Sequence, residues 1–347
     1  MTPSPRPSSI LVTGAAGYIG SHAALRLLDL GHRVTGIDNL DRGNRGAIAA
    51  LEAAGRGRFA FHRLDVLDRR AVAEALRAAQ ASAVLHFAGL AYVGESVERP
   101  LDYFRVNTAG GLALLGAMRD AGVRRIVFSS TCATYGEPAP HLVPIAESVP
   151  QAPINPYGRS KLQFEEILRA ECAAPCDAPL AAVALRYFNV AGADLEGRLG
   201  EDHRPESHLI PICLQVALGQ RAHIAVFGDD YPTPDGTCIR DYVHVDDLVE
   251  AHVAALPALT PGSFRAWNVG IGRGHSVREV IEACRRVTGH AIPTVAGARR
   301  AGDPPRLCAD STAIMRDLGW RPRHVDLDAT VASAWRWMKA HPDGYPR

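Results

Sequence analysis

The sequence predicts an α/β protein: a doubly wound parallel sheet followed by a smaller C-terminal lobe of mixed α/β structure. Three observations predict it. Short apolar runs alternate with amphipathic stretches of helical spacing through the first half. A glycine-rich turn follows the first run, and long polar loops break the alternation after about Asn189. With 347 residues, 47% of them hydrophobic and 22% charged, the chain is long enough for two packed lobes.

The elements follow in order. Ile10–Thr13 reads as a buried strand, and Tyr18–Leu30 as a helix stopped by Gly31. Strands follow at 33–37 and 59–63, then a helix at 71–79 and a strand at 83–87. Leu101–Ala121 reads as one long helix ended by Gly122, followed by a strand at 125–129, a helix at 157–172 and a strand at 181–187. Strands separated by helices of this length imply parallel pairing by right-handed crossovers. Helices are expected at 209–218, 245–256, 276–288 and 327–341. The expected division is a disordered arm over 1–8, a nucleotide-binding domain over 9–188 and a ligand-binding lobe over 189–347, with some elements crossing back.

Composition excludes several classes. A net charge of +1 supplies no field for nucleic acid or anionic membranes, and no apolar run reaches the roughly 18 residues that span a bilayer. The 7 cysteines show no paired CxxC spacing, which argues against disulfides and a metal site and for free thiols in a reducing cytoplasm. The proline-rich N-terminus lacks the apolar core of a signal peptide.

After the first strand stands Thr13-Gly14-Ala15-Ala16-Gly17-Tyr18-Ile19-Gly20. Glycines here let the backbone turn tightly and approach a pyrophosphate, while the amides of Tyr18 and Ile19 open the helix with its positive end. Gly20 lets the helix lie close to the strand, a Rossmann-type arrangement. Asp38 ends the second strand with Asn39 beside it. A carboxylate there accepts from the adenosine ribose hydroxyls and repels the extra phosphate of NADP, so NAD is expected, although Arg42 and Arg45 stand nearby. Asp65 and Val66 follow the third strand, and Phe87, Ala88 and Gly89 follow the fourth. These positions flank a bound dinucleotide or are ordinary loop residues.

Tyr157-Gly158-Arg159-Ser160-Lys161 puts a phenol and an ammonium on one helix face. A nearby cation stabilises a phenolate and makes tyrosine a usable base. Ser129 and Thr131 end the preceding strand, where hydroxyls could bridge substrate to Tyr157.

At these residues the chain resembles the extended short-chain dehydrogenase/reductase family, and within it the UDP-hexose 4-epimerases. The resemblance runs from Ile10 to the tail at 341–346 through His86-Phe87-Ala88-Gly89, Val93-Gly94-Glu95-Ser96-Val97, Asn155-Pro156-Tyr157-Gly158, Leu185-Arg186-Tyr187-Phe188-Asn189 and the blocks at 228–233 and 240–248. It implies tightly bound NAD and a UDP-sugar substrate. Tyr157 is then the base, Thr131 a hydroxyl relay and Lys161 a partner of the nicotinamide ribose. Asn107 and Tyr187 match the nicotinamide pocket. Asn189, Arg240 and Arg300 match positions near the diphosphate, and Asp303 matches one that holds the uridine ribose. The family also implies a homodimer built on the helices at 101–121 and 157–172.

Departures matter. Ala91 stands where a lysine is common. His208, before Leu209, stands where some members have asparagine, and reads either as a loop histidine or as a phosphate donor. Leu307 replaces a tyrosine of some glucose-specific members, which leaves room for an N-acetyl group. A UDP-xylose/UDP-arabinose 4-epimerase remains compatible, as does a catalytically silent NAD sensor. A 4,6-dehydratase fits poorly, because Cys132-Ala133 follow Thr131 where that chemistry needs Asp-Glu.

Overall fold

The computed structural model describes residues 8–300 and 303–346; the expected N-terminal arm, apart from Ser8, lies outside them. Seven parallel strands form the main sheet in the order β10-β6-β5-β4-β1-β2-β3. They are β1 (Ser9–Thr13), β2 (Arg33–Asp38), β3 (Phe59–Arg63), β4 (Ala83–His86), β5 (Arg125–Ser129), β6 (Ala181–Tyr187) and β10 (Phe264–Val269). Strand order reverses between β1 and β4, the crevice where open α/β sheets bind ligands.

Side-chain alternation sorts the core into two layers. Ile10, Val12, Leu85, Val127 and Val183 face α1 (Tyr18–Asp29), α2 (Arg45–Gly55) and α9 (Val245–Ala255). Leu11, Val84, Ile126, Phe128 and Ala182 face α3 (Arg69–Ala78), α6 (Gly110–Ala121) and α7 (Pro156–Ala173). Burial on both faces explains why these strands read as continuous apolar runs.

The expected helix over 101–121 is a composite. Short α4 (Val93–Glu98) and α5 (Pro100–Tyr103) lead into a π-helical segment, Phe104–Ala109, before α6. The irregularity turns Asn107 inward, where it is 3% exposed. Such π insertions recur at functional sites.

Two residues beyond Tyr187 the chain enters β7 (Asn189–Ala191), which leaves the main sheet and pairs with β9 (Ile239–His244). β11 (Gly274–Ser276) and β13 (Arg306–Leu307) flank β9. A separate pair joins β8 (Ile224–Phe227) to β12 (Thr294–Gly297). Around them lie α8 (Leu209–Ala217), α10 (Val277–Thr288), α11 (Thr312–Leu318) and α12 (Leu327–Ala340). Ser276 and Glu279 close a capping box at the start of α10. Besides α9, which packs on the main sheet, β10 returns to it: Phe264–Val269 lies parallel to β6 and completes that sheet.

Candidate active site

The glycine turn is built for close approach. Gly14 has φ of 68°, and a Cβ added to it would lie 2.6 Å from the Ala88 amide nitrogen. A Cβ at Gly20 would fall 2.1 Å from the Gly14 carbonyl oxygen. Turn, helix and β4 loop therefore meet backbone to backbone, which only glycine permits. Gly17 is the N-cap of α1 and offers no capping side chain, so the first-turn amides at Tyr18 and Ile19 stay free for an anion.

Asp38 holds this turn. Its carboxylate accepts from the Ala16 amide at 3.0 Å and from the Leu40 amide at 2.8 Å. Burial raises its pKa while those two bonds pull it down. Arg42, a possible partner for a 2′-phosphate, is committed to Glu95 at 2.6 Å and lies over the Tyr92 ring. Asn39 donates to Asp65 at 3.0 Å, and the Asp65 carboxylate caps Leu67 at 2.9 Å. Val66 is buried, with Gly110 of α6 against it. Phe87 packs on His252, and Ala88 donates to the Thr13 hydroxyl at 3.1 Å. These groups fit a dinucleotide: free amides for a pyrophosphate, and beyond them a carboxylate whose neighbour Arg42 is already paired with Glu95.

The catalytic candidates converge at the ends of β5 and α7. Lys161 is 5% exposed and donates to the Ser129 carbonyl at 3.0 Å. Burial lowers its pKa to about 8, and Glu165 one turn on works against that fall. Asn107 donates to Ser160 at 2.9 Å and to the Leu90 carbonyl at 3.0 Å, and accepts from the Leu90 amide at 2.8 Å. It thus fastens the loop carrying Gly89 to α7. A Cβ on Gly89 would meet Asn107 Oδ1 at 2.9 Å and Lys161 Nζ at 3.3 Å. Tyr187 shares a hydrogen bond with the Ser129 hydroxyl at 2.8 Å.

Tyr157 is 7% exposed. Burial, then Tyr187, pushes its pKa well above that of free tyrosine, and the Thr131 hydroxyl opposes them. The phenol is therefore neutral in the protein alone. Thr131, 6% exposed, starts the 3-10 turn Cys132–Tyr135 by accepting from the Ala133 amide at 3.1 Å. Gly158 lets α7 reach this turn, since a Cβ there would stand 2.4 Å from the Ala133 carbonyl oxygen.

Beneath the pair lies a buried group whose role the sequence did not suggest. Glu165 is 0% exposed and takes a bidentate pair from Arg186, with Nε to Oε1 at 3.0 Å and Nη2 to Oε2 at 2.6 Å. Ser130 donates to the same carboxylate. Arg186 also donates to the Tyr135 hydroxyl at 2.9 Å, which donates to Asn268 of β10 at 2.8 Å. The signal was present: Glu165 follows Lys161 by four, and Arg186 precedes Tyr187. Ser130 sits between Ser129, which anchors Lys161, and Thr131, so this ion pair braces the segment that carries both contacts.

Of the substrate candidates, Asn189 and Arg240 lie on the small sheet around β9, Asp303 reaches it through Arg240, Arg300 lies against the separate β8–β12 pair and His208 with Leu209 opens α8. Arg240 of β9 pairs with Asp303 at 2.5 Å and donates to the Ile239 carbonyl at 2.9 Å. Its charge reaches Cys132, whose thiol burial pushes up to about 12 while Arg240 opposes the rise. Leu307 pairs with Arg240 in register, and Asn189 with Tyr242. Arg240 and Asp303 are thus joined to each other. The Arg300 guanidinium lies 4.0 Å from the Phe227 ring centroid, and the Arg300 carbonyl accepts from the Asp303 amide at 3.3 Å. His208 caps α8 immediately before Leu209 without bonding its amides. Burial works against its charge, but Glu201 and Glu206 overcome this and raise its pKa to about 10. An imidazolium fits the phosphate-donor reading better than the loop reading.

Comparison with known proteins agrees with this arrangement. Residues 10–270 match the model of the NAD dependent epimerase/dehydratase family. The UDP-glucose 4-epimerase of Halalkalibacterium halodurans is 49% identical over 340 residues, 97% of each chain. A probable UDP-arabinose 4-epimerase of Oryza sativa is 46% identical over 98% of this chain and 84% of its own. The crystal structure of a UDP-glucose 4-epimerase from Stenotrophomonas maltophila, holding NAD and a formylated UDP-arabinopyranose, superposes with a TM-score of 0.92 at 41% identity, covering 97% of this chain and 99% of that one.

Proposed function

The chain belongs to the NAD dependent epimerase/dehydratase family, and on that premise we propose that it interconverts UDP-glucose and UDP-galactose by inverting C4 through a transient 4-keto sugar. The observation that carries this reading is the meeting of Tyr157, Thr131 and Lys161 beside a glycine turn suited to NAD, with the Arg240–Asp303 pair on the sheet that follows.

Bound NAD supplies the acceptor for the C4 hydride and a positive ring that favours the phenolate. Tyr157 takes the proton of the 4-hydroxyl, relayed through Thr131, as the hydride leaves; the sugar is then a 4-ketone. Tyr157 returns the proton once the hydride has been restored to the opposite face, so the cycle is redox-neutral. Lys161 keeps the ammonium that stabilises the phenolate. Arg240 exchanges Asp303 for the diphosphate, Asp303 turns to the uridine ribose, and Asn189, His208, Leu209 and Arg300 complete the hold on UDP. Firm contacts at UDP, with only Tyr157 and Thr131 assigned to the hexose, leave the sugar free to turn.

A UDP-arabinose 4-epimerase is the second reading, favoured by the rice relative. Purified protein is offered UDP-galactose and UDP-arabinopyranose separately, and kcat/KM is compared by chromatography of the products. Preference for the hexose supports the first reading, and preference for the pentose replaces it. Leu307, packed with Cys132 and Phe188, leaves space beside C2, so UDP-N-acetylgalactosamine should also react.

The dimer extends the same reading. Leu101 and Leu112 are 81% and 51% exposed on α5 and α6, within the stretch at 101–121 expected to pair with a second copy, and Val97 of the neighbouring α4 is 64% exposed. Light scattering should give twice the chain mass, and Leu101→Glu with Leu112→Glu should halve it.

A further inference from the structure

We propose that Glu201, His203, Glu206 and His208 form a binding site for one first-row divalent cation of the zinc type. Each residue offers one ligand atom, and all four atoms lie within 4.8 Å of one another. His203 Nδ1 is 2.9 Å from Glu201 Oε1 and 3.9 Å from Glu206 Oε2. His208 Nδ1 is 2.9 Å from Glu201 Oε1 and 2.8 Å from Glu206 Oε1. A tetrahedral zinc with bonds of about 2.1 Å sets its ligands about 3.4 Å apart. These separations run from 2.8 to 3.9 Å and reach at most 4.8 Å across the cluster, so completing the shell needs some pairs to part and others to close by up to about 1.4 Å. Two imidazoles and two carboxylates are a donor set suited to such a metal.

Charge balance points the same way, independently of distance. The Glu201 and Glu206 side chains are only 8% and 3% exposed. Two buried carboxylates need two positive charges close by. The arginine of this loop, Arg204, is turned to Asp202 and to the Asp343 carbonyl. One divalent cation held between both imidazoles and both carboxylates would meet that need. Glu206 Oε1 already accepts from the amides of Ser207 and His208 at 2.8 Å each, which fixes the orientation of a ligand carboxylate. The rings of Tyr18 and Tyr92 stand edge-on to His203, at 6.1 and 6.0 Å, and wall the cluster. Cysteine spacing gave no hint of this site, because its ligands are confined to eight residues of one polar loop, Glu201–His208.

The test uses the full NAD-loaded chain without affinity histidines, stripped of metal by chelation and titrated with Co²⁺. Expected are one equivalent bound per chain by dialysis and metal analysis, visible absorption of four-coordinate cobalt, and no thiolate-to-cobalt charge-transfer band. His203→Gln and Glu206→Gln, checked for fold by circular dichroism and NAD content, should each weaken binding at least about tenfold. Binding well below one equivalent, a thiolate band, or unchanged affinity in a folded variant overturns the proposal. Because His208 is shared with the proposed hold on UDP, epimerase turnover is measured on the metal-free parent chain before cobalt is added, so failure of the metal site and failure of the epimerase reading are distinguishable.

Discussion

Gly158→Ala should separate the catalytic base from its hydroxyl relay while leaving both side chains in place. The added Cβ would lie 2.4 Å from the Ala133 carbonyl oxygen and 3.0 Å from both the Ala133 carbonyl carbon and Pro153 Cβ. A carbon–oxygen contact needs at least about 3.2 Å, so the N-terminus of α7 must retreat by about 0.8 Å. The obstacle is backbone on one side and a proline ring on the other, and no rotamer relieves it. Tyr157 rides on α7 and Thr131 on the turn it would leave. A displacement near 1 Å costs catalysis about 100-fold, and forced overpacking costs about 1–3 kcal/mol of stability. The assay is steady-state turnover of UDP-galactose, with NAD content measured after denaturation. Gly94→Ala is the control, since a Cβ there meets nothing within 4 Å. If Gly158→Ala retains kcat within about threefold with full NAD content, the close approach of α7 does not set the catalytic geometry.

Three further outcomes follow from the same geometry. Asp38→Ala should lose NAD by at least about tenfold without gaining NADP, because Arg42 stays with Glu95; fluorescence titration with both cofactors would expose a gain of NADP. Lys161 has a pKa of about 8 when folded against 10.5 when exposed, so between those values the unfolded chain holds a proton that the folded chain has released. The Lys161 contribution to the stability of the cofactor-free protein should therefore rise with pH across that window, by about 3 kcal/mol in all, so the parent should gain on Lys161→Met by that amount in urea unfolding; parallel curves would contradict it. Glu165→Gln leaves the Arg186 guanidinium buried and unpaired, at a cost of about 3–5 kcal/mol, and adding Arg186→Met should recover part of that; a loss below about 1 kcal/mol in denaturant melts would refute the bracing role.

Much of the fold was legible because its strands are buried on both faces and its helices end on glycine. The helix read at 157–172 is found at Pro156–Ala173, and the strand read at 181–187 matches as read. What was not legible depends on distant pairing. Phe264–Val269 carries no period that distinguishes it from a loop; it becomes a strand because the edge of β6 stands open to it. Arg45–Gly55 was passed over for its small residues, and it packs through Ala47, Ile48 and Leu51. The break at 104–109 contains no proline or glycine, though Pro100 precedes it and Gly110 follows it, and the hydrogen bonds of Asn107 reveal its use.

At the proposed site, motif spacing singled out Tyr157, Lys161 and the glycine turn as candidates, since each is local. Glu165 with Arg186, and Glu201 with His203 and His208, were missed as units, because their meaning lies in burial and charge balance. Arg240 and Asp303 were read as separate contacts, yet they are 63 residues apart and bound to each other.

The most direct measurement is conversion of UDP-galactose to UDP-glucose by the purified chain with no NAD added, beside Tyr157→Phe. Turnover by the parent, with loss of about 100- to 10,000-fold in a variant that still carries NAD, is the predicted result. Undiminished turnover in Tyr157→Phe would remove the tyrosine from its role as base, and silence of the NAD-loaded parent toward both UDP-galactose and UDP-arabinopyranose would contradict the epimerase itself.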